Sequence, residues 1–167
     1  CITYDHRGLG ASTRANKGLT IAQLARDLKE LIWFLGLKDV TLVGHSMGAA
    51  TVYSYLEQFG CENLKRCVFI DMSPKTLNDD EWKFGYHEEE LYDLPKLLAD
   101  MELMNQNFGM FQLRFMSGLV PAIKSVPEAL APNMAAGLLG VNDLQILKSL
   151  WFSMFIADHR PSMEKLT

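Results

Sequence analysis

Ser46 stands in Gly44-His45-Ser46-Met47-Gly48, a Gly-x-Ser-x-Gly run whose small residues let the chain reverse sharply around one hydroxyl. A serine hydroxyl becomes a useful nucleophile when it stands clear of its neighbours and beside amides that can bear a developing negative charge. Residues 40–43 form a short, β-branched apolar run that leads straight into Gly44, and residues 49–59 keep helical character up to Gly60. A strand, a tight turn and a helix in that order put Ser46 at a helix N-terminus, where the dipole favours an oxyanion. The backbone N–H of Met47 is then the expected oxyanion donor. Gly44 and Gly48 are read as leaving room for neighbouring chain. His45 adjoins the serine, but successive side chains around a sharp turn point apart, so it is read as elbow-supporting and not as the base. A serine in such a turn can also serve only to cap the following helix.

Three further groups carry chemical potential. Asp5, Arg7 and Ser12 flank the two glycines of Arg7-Gly8-Leu9-Gly10 and are expected to pin that turn through charge-assisted hydrogen bonds. Asp71 ends an apolar run at 67–70; it is either an alternative catalytic acid or a residue of the Asp71-Met72-Ser73-Pro74 junction. His159, in Asp158-His159-Arg160-Pro161, is a late histidine with no acid-bearing strand before it, so a structural role is expected. His6 and His87 are expected at the surface.

The elements that must position these groups follow from periodicity. Residues 1–5 read as a buried strand. Thr20 and Gln23 form a capping box, after which Ile21, Leu24, Leu28, Leu31, Ile32 and Leu35 keep helical spacing until Gly36. Arg26, Asp27, Lys29 and Glu30 fall on the wet side of that helix. Strands alternating with helices at this spacing argue for right-handed crossovers and a parallel sheet covered on both faces. The pattern changes at Pro74. From there the chain offers only helical stretches, at 91–108, 110–117, 127–139 and 143–157, with Gly109, Gly118, Pro121 and Gly140 at the joints. This part is rich in methionine and in the aromatics Phe108, Phe111, Phe115, Trp151, Phe152 and Phe155, which suit either an adaptable apolar pocket or a packed core.

Two of these motifs together resemble the α/β-hydrolase family: the elbow at 44–48, and Asp5-His6-Arg7-Gly8-Leu9-Gly10-Ala11-Ser12, which is similar to the turn after that family's fourth strand. The likeness is close over residues 1–73 and architectural beyond, where many members insert a helical cap. It implies an α/β fold: a partial α/β-hydrolase parallel sheet of three strands with crossover helices, followed by an all-helical cap. The expected division is a core with the nucleophile elbow at 1–73, a cap at 74–160 and the lead-in to the next core strand at 161–167. The resemblance also implies a serine, acid and histidine triad, with no metal and no cofactor. Because the family order is serine, acid, histidine, the acid and the histidine are expected beyond residue 167, and the second oxyanion donor before residue 1. The implied reaction is attack on an ester, thioester or related carbonyl through an acyl-enzyme, with an apolar acyl or aromatic group. Carbon–carbon bond hydrolases, perhydrolases and non-catalytic ligand-binding relatives share the elbow. Epoxide hydrolases and haloalkane dehalogenases of this fold need a carboxylate where Ser46 stands.

The bulk composition narrows the partners. A net charge of −4, from 16 basic and 20 acidic residues without long single-sign runs, offers no footprint for nucleic acid, so a small-molecule substrate is expected. Cys1, Cys61 and Cys67 have neither the pairing nor the histidine company of a zinc site or a disulfide framework. No apolar run approaches the ~20 residues that span a bilayer, and a cytoplasmic location is expected.

Overall fold

Thr20 opens the first helix, α1 (Ile21–Phe34), by accepting the Gln23 amide on its hydroxyl at 3.2 Å. The reciprocal half of the box is not made, because the Gln23 side chain donates to Asp27 instead. At the other end Gly36 adopts φ +61°, its amide bonds Trp33 and that of Leu37 bonds Ile32, which closes the helix as a Schellman motif. The computed structural model describes residues 1–86, 91–139 and 142–164.

The next elements are β1 (Val40–His45), α2 (Met47–Phe59) and β2 (Leu64–Ile70). The two strands pair in parallel, with Leu42 opposite Cys67 and His45 opposite Ile70. All residues of α2 from Ala49 to Leu56 are buried, as befits a helix enclosed on every side. Leu28 and Ile32 of α1, Leu42 of β1 and Val52, Tyr55 and Leu56 of α2 share one apolar cluster.

Two expectations fail here. Residues 1–5 are not in a strand: the sheet of the described residues has two strands, and a strand exists only where a ladder partner accepts its amides. The expected three-strand sheet is therefore two-stranded. Nor are both faces covered among the described residues. Leu42 and Gly44 point into the protein, whereas Val43 on the opposite face is 63% exposed and Val68 and Ile70 of β2 are exposed as well.

After β2 the described residues 71–86 and 91–93 are irregular, and the chain then becomes helical, with α3 (Leu94–Gln106), α4 (Phe108–Leu119), α5 (Ala131–Leu139), α6 (Leu144–Phe155) and the short α7 (Arg160–Met163). Short 3-10 turns at Pro121–Ser125 and Glu128–Leu130 join α4 to α5. The break expected at Gly109 lies instead at Asn107, which ends α3 and caps α4 through its side chain. Gly109 sits inside α4, where a Cβ would come within 2.3 Å of the Ala131 carbonyl, so its bareness serves helix packing. Residues 160–163 form the short helix α7, and 165–167, with His87 and Gly140, lie outside the described residues. Several of the aromatics pack together: Phe108, Phe111 and Phe155 are buried, and Phe111, Phe115, Trp151 and Phe155 meet with centroids 4.6–6.1 Å apart.

Candidate active site

The parallel register brings the C-terminal ends of β1 and β2 side by side, and the chain does something unusual at both. Ser46 has φ 51° and ψ −119°, a strained conformation for a residue with a Cβ. Its amide donates to the Ile70 carbonyl at 3.0 Å, which ties the turn to the neighbouring strand. Its carbonyl accepts the amides of Ala49 and Ala50 and so starts α2. The hydroxyl makes no capping bond, so the reading of Ser46 as a mere helix cap has no support in the geometry. Met47 is the first residue of α2, and its amide lies outside the intrahelical ladder at the positive end of the dipole.

The two glycines differ. A Cβ on Gly44 would lie 2.5 Å from the carbonyl carbon of Gly48 and 2.6 Å from the Ala49 nitrogen, so strand and helix can meet only if residue 44 is bare. A Cβ on Gly48 would meet nothing within 4 Å beyond its chain neighbours and the backbone of its own helix. The expectation that both make room therefore holds for Gly44 alone. His45 is exposed on the open face of β1.

Asp71 follows Ile70 directly and, like Ser46, has a positive φ, 52°. Asp71 is exposed and, by the pairing of His45 with Ile70, stands at the same level of the sheet edge as Ser46. No histidine hydrogen-bonds either residue among those described. His6 is half-buried and not superficial; burial pushes its pKa below the ordinary histidine value, with Asp27 and Asp5 opposing. His159 is buried and bonds Glu57.

The turn at 5–12 is pinned as its residue types suggest. Asp5 accepts the Ala11 amide, and Ser12 donates to the Asp5 carbonyl. Arg7 forks onto Asp27, its Nε 2.7 Å from Oδ2. Asp27 was expected on the wet side of α1 and is instead half-buried. Burial alone would raise its pKa, but the hydrogen bonds from Arg7 and Gln23 outweigh that and hold it below the usual carboxylate range. Burial, with the Asp27 charge, pushes the Tyr4 phenol up to about 12.

Apolar side chains complete the surroundings. Met47, Met72 and Leu9, near the strand ends, pack against a cluster that includes Tyr92, Leu97, Leu150 and Phe155 of the helical part. Sequence reasoning missed Tyr53, whose hydroxyl donates to the Met72 carbonyl and whose ring stacks on Phe69 at 4.2 Å. Its only signal was an aromatic in the interior of a helix.

A tight turn with positive φ at Ser46, between a parallel strand and a buried helix, is local geometry of the α/β-hydrolase type of fold. The sequence model of the alpha/beta hydrolase fold matches residues 1–135, and the chain belongs to that family. A putative non-heme chloroperoxidase of Synechocystis sp. is 40% identical over 76 residues, 46% of this chain and 28% of the relative. The bifunctional esterase/perhydrolase DCH of Acinetobacter calcoaceticus is 26% identical over 107 residues, 64% of this chain and 36% of the relative. The bromoperoxidase of Bacillus anthracis superposes with a TM-score of 0.77 at 23% identity, covering 97% of this chain and 58% of its own, which bears on fold alone. The chain thus spans roughly a third of the curated relatives it matches. Those relatives are enzymes: non-heme haloperoxidases, an esterase/perhydrolase and an epoxide hydrolase. No helix among the described residues is long and apolar enough to cross a membrane.

Proposed function

We propose that this protein is a serine hydrolase that cleaves an ester, thioester or related carbonyl substrate through an acyl-enzyme at Ser46. The observation that carries the reading is the backbone of Ser46, held at φ 51° between β1 and α2 with its hydroxyl unengaged as a cap. Strain of this kind persists where the surrounding structure imposes it, and it holds a nucleophile in one attack geometry. In the reaction Oγ adds to the carbonyl carbon, the oxyanion is received by the Met47 amide, the alcohol or thiol leaves, and water releases the acid. Residues 1–73 then serve as the core, 74–160 as a cap that shapes an apolar acyl or aromatic site, and 161–167 as the lead-in to the rest of the core. Asp71 is the alternative acid, by its position at the end of β2.

The epoxide hydrolase among the relatives does not change this, because an epoxide-opening elbow needs a carboxylate and residue 46 is serine. Peroxide in place of water would convert the same acyl-enzyme to a peracid, a second reading favoured by the likeness to the esterase/perhydrolase. The test is Ser46→Ala in the protein as its gene encodes it. Turnover of short p-nitrophenyl esters should fall by at least ~10³-fold in kcat. Activity within tenfold of the unaltered protein refutes the assignment.

A further inference from the structure

The chain enters and leaves the helical part through one narrow neck. Lys75 and Asp158 form an isolated antiparallel bridge, and the His159 amide donates to the Pro74 carbonyl at 2.8 Å. Trp82 donates its indole N–H to the Lys75 carbonyl, and Arg160, forked onto Asp158, lies 5.2 Å over the Trp82 ring. Lys75 also pairs with Asp79 and reaches Asp158 at 4.0 Å. The neck is thus built of directional contacts, whereas the apolar cluster that Ile21 and Leu24 of α1 and Ala50 of α2 share with Tyr92, Leu97 and Leu150 is not directional.

One side chain ties this neck to α2. His159 is 7% exposed, its ring lies 6.2 Å from that of Tyr53, and its Nδ1 is 3.0 Å from Glu57 Oε2. Nε2 is buried with no hydrogen-bond partner among the described residues. A buried imidazole whose single polar anchor is one carboxylate takes its orientation from that carboxylate, with Nδ1 as donor. Tyr53 secures the other strand of the neck through the Met72 carbonyl. Glu57 and Tyr53 both lie on the helix that begins at Ser46. About ten residues, roughly 15 Å of helix, separate Met47 from Glu57.

We propose that Glu57 and His159 are a positioning pair that latches the neck to α2 and so sets how the helical part presents itself to a substrate at Ser46. The kinetic half rests on the serine-hydrolase reading. The mechanical half does not. Glu57 is half-exposed, so its replacement leaves the core intact.

The experiment compares Glu57→Ala, Glu57→Gln, His159→Ala and the Glu57→Ala/His159→Ala double variant of the protein as its gene encodes it. Loss of one such hydrogen bond corresponds to about a fivefold effect. Glu57→Ala should raise KM for a p-nitrophenyl ester about fivefold, with kcat and the rate of fluorophosphonate labelling of Ser46 within twofold. The His159 amide should exchange with deuterium faster. Glu57→Gln, which keeps an acceptor for Nδ1, should restore both. The double variant should be no worse than the worse single one, as for residues acting together. An unmoved KM with unmoved amide exchange, or a Glu57→Gln variant as impaired as Glu57→Ala, overturns the latch. If Ser46 of the unaltered protein takes no probe, the hydrolase reading fails, and amide exchange in Glu57→Ala still decides the latch.

Discussion

Gly44 is the position at which one added methyl group should cost most. In the Gly44→Ala variant the new carbon is built 2.5 Å from the carbonyl carbon and oxygen of Gly48 and 2.6 Å from the Ala49 nitrogen, whereas ordinary contact begins near 3.4 Å. Relief needs a displacement of about 0.9 Å. The obstructing atoms are backbone atoms of the first turn of α2, and no rotamer change can move them. Overpacking of this kind typically costs ~1–3 kcal/mol of stability. The same shift carries the Met47 amide away from the Ser46 hydroxyl, and a 1 Å misplacement of reacting groups costs on the order of 10²-fold in rate. We expect Gly44→Ala to lower kcat/KM for a p-nitrophenyl ester by about that factor and to lower Tm. Gly48→Ala, whose Cβ meets no atom within 4 Å beyond its chain neighbours and its own helix backbone, should keep kcat/KM within threefold. The variants are made in the whole gene product and assayed beside each other. If Gly44→Ala retains activity within threefold, the close approach of strand and helix does not position Ser46, and the geometric argument is wrong.

Acid should act on Asp27. Its folded-state pKa is depressed, so its contribution to stability is present above the ordinary carboxylate pKa and is lost as pH falls through the depressed value. Asp27→Asn should flatten the loss of Tm on acidification, and an unchanged pH profile of Tm would contradict the assignment. Tyr92 is fully buried and donates to Asp100, which also pairs with Arg114. Tyr92→Phe should cost about 1–3 kcal/mol by urea unfolding, because it leaves a buried carboxylate short of a donor; a variant as stable as the parent refutes this. Exchanging residues 74–160 for the corresponding part of a relative should change acyl preference while probe labelling of Ser46 persists. An unchanged substrate profile would make that part a structural appendage.

What was legible in the sequence was local. The elbow, the Thr20 start and the Gly36 stop all depend on residues within a turn or two of one another, and each stands where spacing put it. The switch to helices after Pro74 was equally plain, because strand-type alternation ends there. Non-local partners were not legible. Residues 1–5 have strand composition but no ladder partner among the described residues, and composition cannot supply one. Asp27 has the spacing of a solvated face, yet it finds Arg7 twenty residues away. The Met and Phe content of the helical part fitted pocket and core alike, and the contact of Phe111 with Trp151 joins residues forty apart that no local pattern links. Glu57 and His159 lie 102 residues apart, and no pattern in either neighbourhood joins them.

The central claim is that Ser46 is the atom-bearing nucleophile, and covalent capture tests it most directly. The whole gene product, treated with a fluorophosphonate and digested, should carry a single phosphonyl adduct on the peptide containing Ser46, with no adduct in Ser46→Ala. An adduct on Ser12 or Ser54, or ester turnover that persists without any adduct at Ser46, would contradict the account.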